Sequence, residues 1–431
     1  MDTDGRMRLR LAAMMALIYS VQGAFWPVMT LHLADLGVSE RGRGLVFATM
    51  AMASFAMPLG AGQLVDRFFP TRWFLVGSFG AGAVVLATIA LGVATTPAAF
   101  FGLFLVYWLF MAPSYSLSNS LAFRNLARPE RDFARVRLWG TVGWMAVGWV
   151  VSLTMALAGR QMTARRGATE AFWVAAGLSL VTACYCRTLP MTPPLRLVPG
   201  GRRTTFVQDI GDLLRRPGVA AYLVAAFGFS LTTPFVYQVI PQYLRRAGMD
   251  RAWVASAMSM GQWPEVIGLA CLPALIRRWG FRTTLMVGVG SYVVRFASLA
   301  TEPSLAVATL GIPLHGVGIA CFSIAGQMFV NGQAADDRRA SAQSMNTVVN
   351  GGLGSMIGSL LAGEVLRRLP DRPGLVFAVP AVINLGLVAY LLANFPPARR
   401  LDPPPADPGP AADLAAGIPP RPGMPNAATM D

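Results

Sequence analysis

Long apolar stretches, separated by short polar segments, recur along almost the whole chain. Each is roughly 20 residues long, which is enough for a helix to cross a hydrocarbon core about 30 Å thick. Backbone groups that face lipid need partners within their own segment, so we predict that every stretch is an α-helix. The pattern predicts twelve membrane spans, at residues 9–33, 44–65, 73–94, 97–121, 134–158, 169–189, 218–245, 253–276, 282–300, 304–331, 341–366 and 374–395.

The longest polar interval between spans is rich in proline and arginine, and it divides the spans into six plus six. We therefore predict an N-terminal six-helix bundle at residues 1–190, a cytoplasmic central loop at 191–217 and a C-terminal six-helix bundle at 218–395. The remaining residues, 396–431, are rich in proline and offer almost no aliphatic cluster to bury, so we expect a disordered cytoplasmic tail.

Composition agrees with this picture, because 54% of the residues are hydrophobic and only 13% are charged. The formal net charge of +15 comes entirely from arginine, and the arginines lie between the apolar stretches instead of forming a basic face. They are therefore interpreted as topology signals and not as a nucleic-acid site. The loops on the side of the two termini hold more arginines than the others, which predicts an inner-membrane protein with both termini in the cytoplasm.

Enzyme chemistry and metal binding find little support in the residue pattern. Catalysis would require clustered His, Asp, Glu or Ser side chains, and the two histidines, His32 and His315, lie far apart in the sequence. A receptor or scaffold would normally carry a folded soluble domain. All four cysteines fall inside apolar segments, where we expect small core residues and neither disulfides nor metal ligands: Cys184, Cys186, Cys271 and Cys321.

Glu265 is the outstanding charge in the predicted membrane region, because it lies near the middle of the eighth span. A charge at that depth costs a few kcal/mol and needs a function or a partner. A low-dielectric surrounding favours the protonated carboxyl, so Glu265 is a candidate for proton uptake and release; the alternative is a permanently paired structural carboxylate. Gln262 precedes it by three residues and shares its helix face.

Three other polar residues within spans have both a functional and a structural interpretation. Arg137 opens the fifth span with Thr141 on the same face, and it could line a cavity or extend to the membrane surface. His315 could bind a ligand or be structural. For Arg295 we favour an arginine that extends to the surface or locks the bundle. Uncharged polar residues are expected to join helices: Gln22, Gln238, Asn119, Gln327 and Asn350.

Two loops at corresponding places in the halves carry related motifs. The loop after the second span reads GQLVDRFFPTR, and the loop after the eighth reads RRWGFR. The chain here resembles the major facilitator superfamily, although Phe69 and Pro70 replace the usual Gly and Arg of its motif. The resemblance implies two pseudo-symmetric six-helix bundles and a cytoplasmic latch formed by Asp66, Arg67 and Arg72. Alternatively, the arginines only set the orientation of the protein through the positive-inside rule, and Asp66 caps a helix end.

Three stretches resemble a narrower family, the nucleoside:proton symporters of that superfamily. They read RLWGTVGWMAVGWVVSL, QWPEVIGLACLPALIRRWGFRTTLMVGVGSYVVRFA and RASAQSMNTVVNGGLGSMIGSLLAG. The resemblance implies that Arg137 and Thr141, together with Gln262 and Glu265, line a central nucleoside site.

The chain departs from this family at two places in the expected site. The family supplies amide side chains from the seventh span, where this chain has Pro234 and Tyr237. It supplies an aromatic residue and an aspartate from the tenth span, where this chain has His315 and Ala320. The substrate could therefore differ from that of the family.

We expect a secondary transporter, most simply a monomer in the bilayer that takes up a nucleoside or similar polar solute by alternating access. The coupling ion is the proton, without any cofactor or metal. Spans one, four, seven and ten are expected to line the cavity, flanked by five, eight and eleven. Protonation of Glu265 would free Arg137 and Gln262 to bind the solute. The alternative is a proton-coupled exporter of hydrophobic drugs, with a wider aromatic cavity.

Overall fold

The computed structural model describes residues 3–56, 70–158, 169–191, 211–334 and 339–397, and within these ranges the regular structure is helical with no strand. Ten helical stretches are long and apolar enough to cross a membrane. One of them, Arg251–Ala300, contains two of the predicted spans, and the second span is described over Glu40–Ala56. The prediction of twelve spans is therefore confirmed.

In the N-terminal half, the helices that form the first six spans are Thr3–Phe25 with Met29–Asp35, Glu40–Ala56, Thr71–Ala90, Pro97–Asn125, Pro129–Ala158 and Thr169–Cys186. In the C-terminal half, they are Val219–Gln238 with Ile240–Arg246 for the seventh span, Val254–Ser259 and Trp263–Ala300 for the eighth and ninth, Leu305–Leu310 with Leu314–Gly318 and Ala325–Gln333 for the tenth, Arg339–Thr347 with Ser355–Arg368 for the eleventh, and Pro373–Asn394 for the twelfth.

The two halves repeat one packing scheme. The first span packs against the fifth and the third against the sixth, as the seventh packs against the eleventh and the ninth against the twelfth. Between the halves, the second span contacts the eleventh and the fifth contacts the eighth. These two seams are equivalent under the same pseudo-twofold relation, because the eighth span corresponds to the second and the eleventh to the fifth.

Among the described residues, the first, eighth, tenth and eleventh spans depart from α-helical geometry beside the centre of the molecule. A 3-10 turn interrupts the first span at Trp26–Val28, where Pro27 supplies no backbone N–H, and a second one interrupts the eighth at Met260–Gln262. Single π-helical turns lie in the tenth span at Ile319–Ile324 and in the eleventh at Val348–Gly354. Broken helices and π-turns are frequent where membrane proteins bind ligands.

Two offset stripes of small residues let the eleventh span approach its neighbours closely. A Cβ on Gly358 would lie 2.6 Å from the backbone oxygen of Leu231 in the seventh span, and one on Gly363 would lie 2.6 Å from that of Glu40 in the second. Close backbone approach through small residues is a general device for packing helices in membranes. The stripes therefore fix the eleventh span both within its own half and at the seam.

The halves are joined by polar contacts at the face opposite the termini, which we call the distal face. Thr30 donates to the carbonyl oxygen of Gln238 at 3.0 Å. Arg251 pairs with Asp35. Arg41 in the second span donates to Glu364 in the eleventh at 2.7 Å, and Glu364 also accepts from two arginines of its own helix, Arg367 and Arg368. These contacts seal the two halves together at the distal face.

Replacing Glu364 with glutamine is expected to loosen the distal seal, because it removes the charge that holds Arg41 across the seam. Exposed ion pairs are individually weak, so we expect a severalfold effect and not a complete opening. In a cysteine-free background, a membrane-impermeant thiol reagent should modify Ser359→Cys faster in the Glu364→Gln variant. The matched control is Glu302→Gln, because Glu302 accepts from Gly374 at 2.9 Å within the C-terminal half alone. Equal labelling rates in both variants would contradict the role of Glu364.

The predicted latch is described only in part. Asp66 and Arg67 lie outside the described residues. Arg72 donates to the carbonyl oxygen of Leu189 at 3.1 Å, and its guanidinium lies 4.9 Å from the ring centre of Trp73. These contacts lie within the N-terminal half, and the latch role of all three residues stays a prediction.

Candidate functional site

A cavity of about 310 Å³ lies between the two halves near the breaks in the spans. The first, second and fifth spans line it from one side, and the seventh, eighth, tenth and eleventh line it from the other. The fourth span lines none of it, so the expectation that spans one, four, seven and ten form the wall is wrong for this span. The second span takes part instead, through Phe47, Met50, Ala51 and Ser54.

The fourth span is displaced from the cavity because its large side chains pack behind the first span. Tyr107 and Trp108 are buried against Phe25, at 5.6 Å and 6.5 Å between ring centres. Tyr115 donates to Oε1 of Gln22 at 2.8 Å. The fourth span therefore supports the wall residue Gln22 from behind.

All five sequence-predicted binding residues line the cavity: Arg137, Thr141, Gln262, Glu265 and His315. The guanidinium carbon of Arg137 lies 4.0 Å from the ring centre of Tyr19 in the first span, which is a cation–π contact. Arg137 is thus held inward by an aromatic ring and does not extend to the membrane surface.

Glu265 lies immediately after the 3-10 turn of the eighth span, in the first turn of the helix that continues it. Arg137 from the other half lies near enough to interact with it electrostatically. Among the ion pairs of the described residues, however, none joins these two side chains directly. A cationic group from one half and an acidic group from the other thus face the same cavity without a direct ion pair between them.

Gly316 brings the tenth span into contact with the broken part of the eighth. A Cβ on Gly316 would lie 2.5 Å from the backbone nitrogen of Glu265 and 3.2 Å from the carbonyl carbon of Pro264. Only glycine therefore allows His315 and Glu265 to face the same cavity at this separation.

A Gly316→Ala variant is expected to lose most of its transport, because the added methyl group must push the two spans apart. Overpacking of this kind typically costs about 1–3 kcal/mol, and here the strain falls directly on Glu265. Transport rate and melting temperature should be compared with those of Gly290→Ala, since nothing lies within 4 Å of a Cβ at Gly290. Normal transport by Gly316→Ala would show that this close approach is not required.

His315 lies between two tyrosine hydroxyls. Its Nδ1 is 2.7 Å from the hydroxyl of Tyr292, and its Nε2 is 3.3 Å from the hydroxyl of Tyr237. Arg295, one turn from Tyr292, is 1% exposed, and neither of its terminal nitrogens has a hydrogen-bond partner among the described residues. The interpretation of Arg295 as a residue that extends to the surface is therefore wrong, because the helices around it bury the guanidinium.

Sequence reasoning missed several residues of the cavity wall: Tyr19, Gln22, Trp26, Trp144 and Tyr237. The sequence pattern predicts a helix-packing role for Gln22, as it does for four other amides. The aromatic residues gave no signal, because Trp and Tyr are also common at membrane interfaces. Only the departure at Tyr237 from the family pattern could have identified one of them.

Within the described ranges, no group of three or more His, Cys, Asp or Glu side chains could hold a metal ion. All four cysteines are unpaired; Cys186 and Cys321 are buried, as expected of core residues. Cys184 and Cys271 are exposed, so their assignment to the core is wrong. Apolar residues on the outer surface of a membrane bundle face lipid, which the sequence pattern does not distinguish from a core.

Comparison with known proteins gives consistent results. The model of the family described as nucleoside H⁺ symporter matches residues 5–399. The putative nucleoside transporter YegT of Escherichia coli (strain K12) is 29% identical over 84% of this chain and 84% of its own length. The xanthosine permease of the same organism is 26% identical over 82% of this chain and 87% of its own length. The crystal structure of the nucleoside transporter NupG is 21% identical, with a TM-score of 0.74, and the match covers 90% of this chain and 98% of that one.

Proposed function

The chain belongs to the nucleoside H⁺ symporter family, and from that premise we propose that it takes up a nucleoside through the central cavity together with a proton. The observation that carries this proposal is the position of Arg137 and Glu265 on opposite walls of one cavity, from different halves of the protein. The family and its relatives are transporters, so the expectation of a multi-pass membrane transporter and not an enzyme is confirmed. No observation favours the drug exporter.

We propose that Glu265 binds the coupling proton and that Arg137, Thr141 and Gln262 bind the solute. While Glu265 is charged, it attracts Arg137 across the cavity. Protonation removes that attraction, so the guanidinium becomes available to hydroxyl or carbonyl acceptors of a nucleoside. Guanidinium and amide groups offer several donors in fixed geometry, which suits a solute with many acceptors.

Proton and solute are then coupled because the loaded cavity carries one negative charge less than the empty one. Moving an uncompensated buried charge through a closed intermediate is costly. Protonation removes the charge of Glu265, and the bound solute then supplies the hydrogen-bond acceptors that Arg137 needs, so the cavity closes when proton and solute are both bound. The distal seal must open to admit the solute and close again before release on the side of the termini. We propose that both termini lie in the cytoplasm, which makes this sequence of steps uptake.

The experiment that tests the function is uptake of radiolabelled uridine and adenosine into proteoliposomes with an imposed pH gradient, acidic outside. We expect accumulation that an uncoupler abolishes. Accumulation that survives the uncoupler would remove the proton as coupling ion, and no uptake of either nucleoside by correctly inserted protein would remove the nucleoside as substrate. We propose that the protein transports as a monomer, with the proton as coupling ion and without a cofactor.

A further inference from the structure

The hydrogen-bond network around His315 reaches from a buried layer to the cavity wall. Tyr292 is fully buried and does not line the cavity, whereas His315 and Tyr237 both do. The three side chains are connected through both ring nitrogens of His315. In a neutral imidazole, one nitrogen donates and the other accepts, and the groups behind the ring decide which.

The hydroxyl of Tyr292 is fully buried, and Nδ1 of His315 is its one hydrogen-bond partner among the described residues. A buried O–H without an acceptor would cost its desolvation free energy, so the proton of Tyr292 is directed at Nδ1 of His315. The separation of 2.7 Å is an ordinary length for an O–H···N hydrogen bond. We therefore assign Tyr292 as the donor and Nδ1 as the acceptor.

This assignment determines the proton positions at the cavity wall. If Nδ1 accepts, the ring proton is on Nε2, which donates toward the hydroxyl oxygen of Tyr237. His315 is the one hydrogen-bond partner of the Tyr237 hydroxyl among the described residues, and its Nε2 is protonated, so the O–H of Tyr237 must donate to another group. Tyr237 lines the cavity, and that group is the bound solute.

We infer that Tyr237 is a specificity-determining hydrogen-bond donor, which makes the cavity select nucleosides whose base carries an oxo group over those that carry an amino group at the same ring position. The inference rests on the proposed function, since it takes the solute to be a nucleoside. A carbonyl oxygen accepts from the fixed O–H, whereas an amino group places a second donor against it. The unmatched donors then lose their hydrogen bonds in a site closed to water.

Competition binding to the purified full-length protein tests this inference. Unlabelled uridine and cytidine, or inosine and adenosine, are used to displace radiolabelled uridine, because the members of each pair differ by an oxo or an amino group on the base. One neutral hydrogen bond predicts that the oxo compounds act at about tenfold lower concentration. In Tyr237→Phe, which lacks the donor, the ratio within each pair should fall close to one.

The Tyr292→Phe variant distinguishes a role of Tyr292 in orienting the His315 ring from a role in packing alone. The variant keeps the ring but frees Nδ1, so the ratio should also fall although Tyr292 does not touch the cavity; a purely space-filling residue would leave it unchanged. Tyr243→Phe is the matched control, since Tyr243 donates to the carbonyl oxygen of Pro303 at 2.8 Å, outside the cavity. Equal displacement within the pairs, or preference for the amino compounds, overturns the inference and leaves nucleoside transport standing. Absence of binding by every nucleoside overturns the proposed function instead.

Discussion

Replacing Glu265 with glutamine is expected to abolish accumulation of nucleoside against a gradient while leaving nucleoside binding in place. Glutamine has nearly the shape of the protonated carboxyl, but it cannot release a proton. The variant should therefore bind the solute and exchange it across the membrane, yet be unable to use a proton gradient. In proteoliposomes, the ratio of internal to external uridine should reach one and stop there under a gradient that drives accumulation by the unaltered protein.

Two further measurements make this result specific to Glu265. Counterflow of labelled for unlabelled uridine should continue in Glu265→Gln, because exchange requires no net proton movement. Glu302→Gln, outside the cavity, should accumulate uridine as the unaltered protein does. Normal accumulation by Glu265→Gln would assign the proton to another group and return Glu265 to the structural interpretation.

Replacing Arg137 with alanine is expected to weaken nucleoside binding itself. A hydrogen bond to a charged donor is worth about 1.5–3 kcal/mol, so the dissociation constant should rise by roughly ten- to a hundredfold. Arg137→Lys should restore only part of the affinity, since an ammonium keeps the charge but loses the planar guanidinium that lies over Tyr19. Calorimetric titration with uridine measures both variants at one pH.

Arg245→Ala is the matched control for the loss of a positive charge, because Arg245 lies outside the cavity. It donates to the carbonyl oxygen of Met249, at a donor–acceptor distance of 2.6 Å. The affinity of this variant for uridine should be unchanged. If Arg137→Ala bound uridine as tightly as the unaltered protein, Arg137 would have a purely structural role at the wall of the cavity.

The sequence was sufficient for the architecture and for the charged part of the site. An apolar stretch long enough to cross the bilayer must form a helix, because lipid offers the backbone no hydrogen-bond partners. An ionisable residue deep in such a span, as at Glu265, is rare enough to be recognised from the sequence alone. The sequence pattern leaves it open whether Arg137 lines a cavity or extends to the membrane surface, and the family resemblance favours the cavity. The structure places it there through contact with Tyr19, a residue 118 positions earlier in the chain.

The rest of the candidate site depends on packing between segments that are distant in sequence, which the hydrophobic periodicity of the chain does not encode. The fourth span looks as suitable for a cavity wall as the second, but its large aromatic side chains fill the space behind Phe25 instead. The sequence around Tyr237 is ordinary for an aromatic residue in a membrane span. The proposed role of Tyr237 as a hydrogen-bond donor depends on His315 and Tyr292, which lie on two other spans. A break such as Trp26–Val28 could be suspected from Pro27, yet Pro113 lies inside an uninterrupted helix.

The π-helical turn at Val348–Gly354 has a consequence for how the eleventh span presents its faces. An α-helix advances by about 100° per residue, so one additional residue in a single turn rotates everything beyond it by that angle. Beyond the turn, Ser355 and Ser359 face the cavity, while Gly358 faces the seventh span and Gly363 the second. The π-helical turn therefore changes the directions in which the side chains beyond it point, relative to those before it. The part of the helix before the turn and the part after it can each meet their own partners.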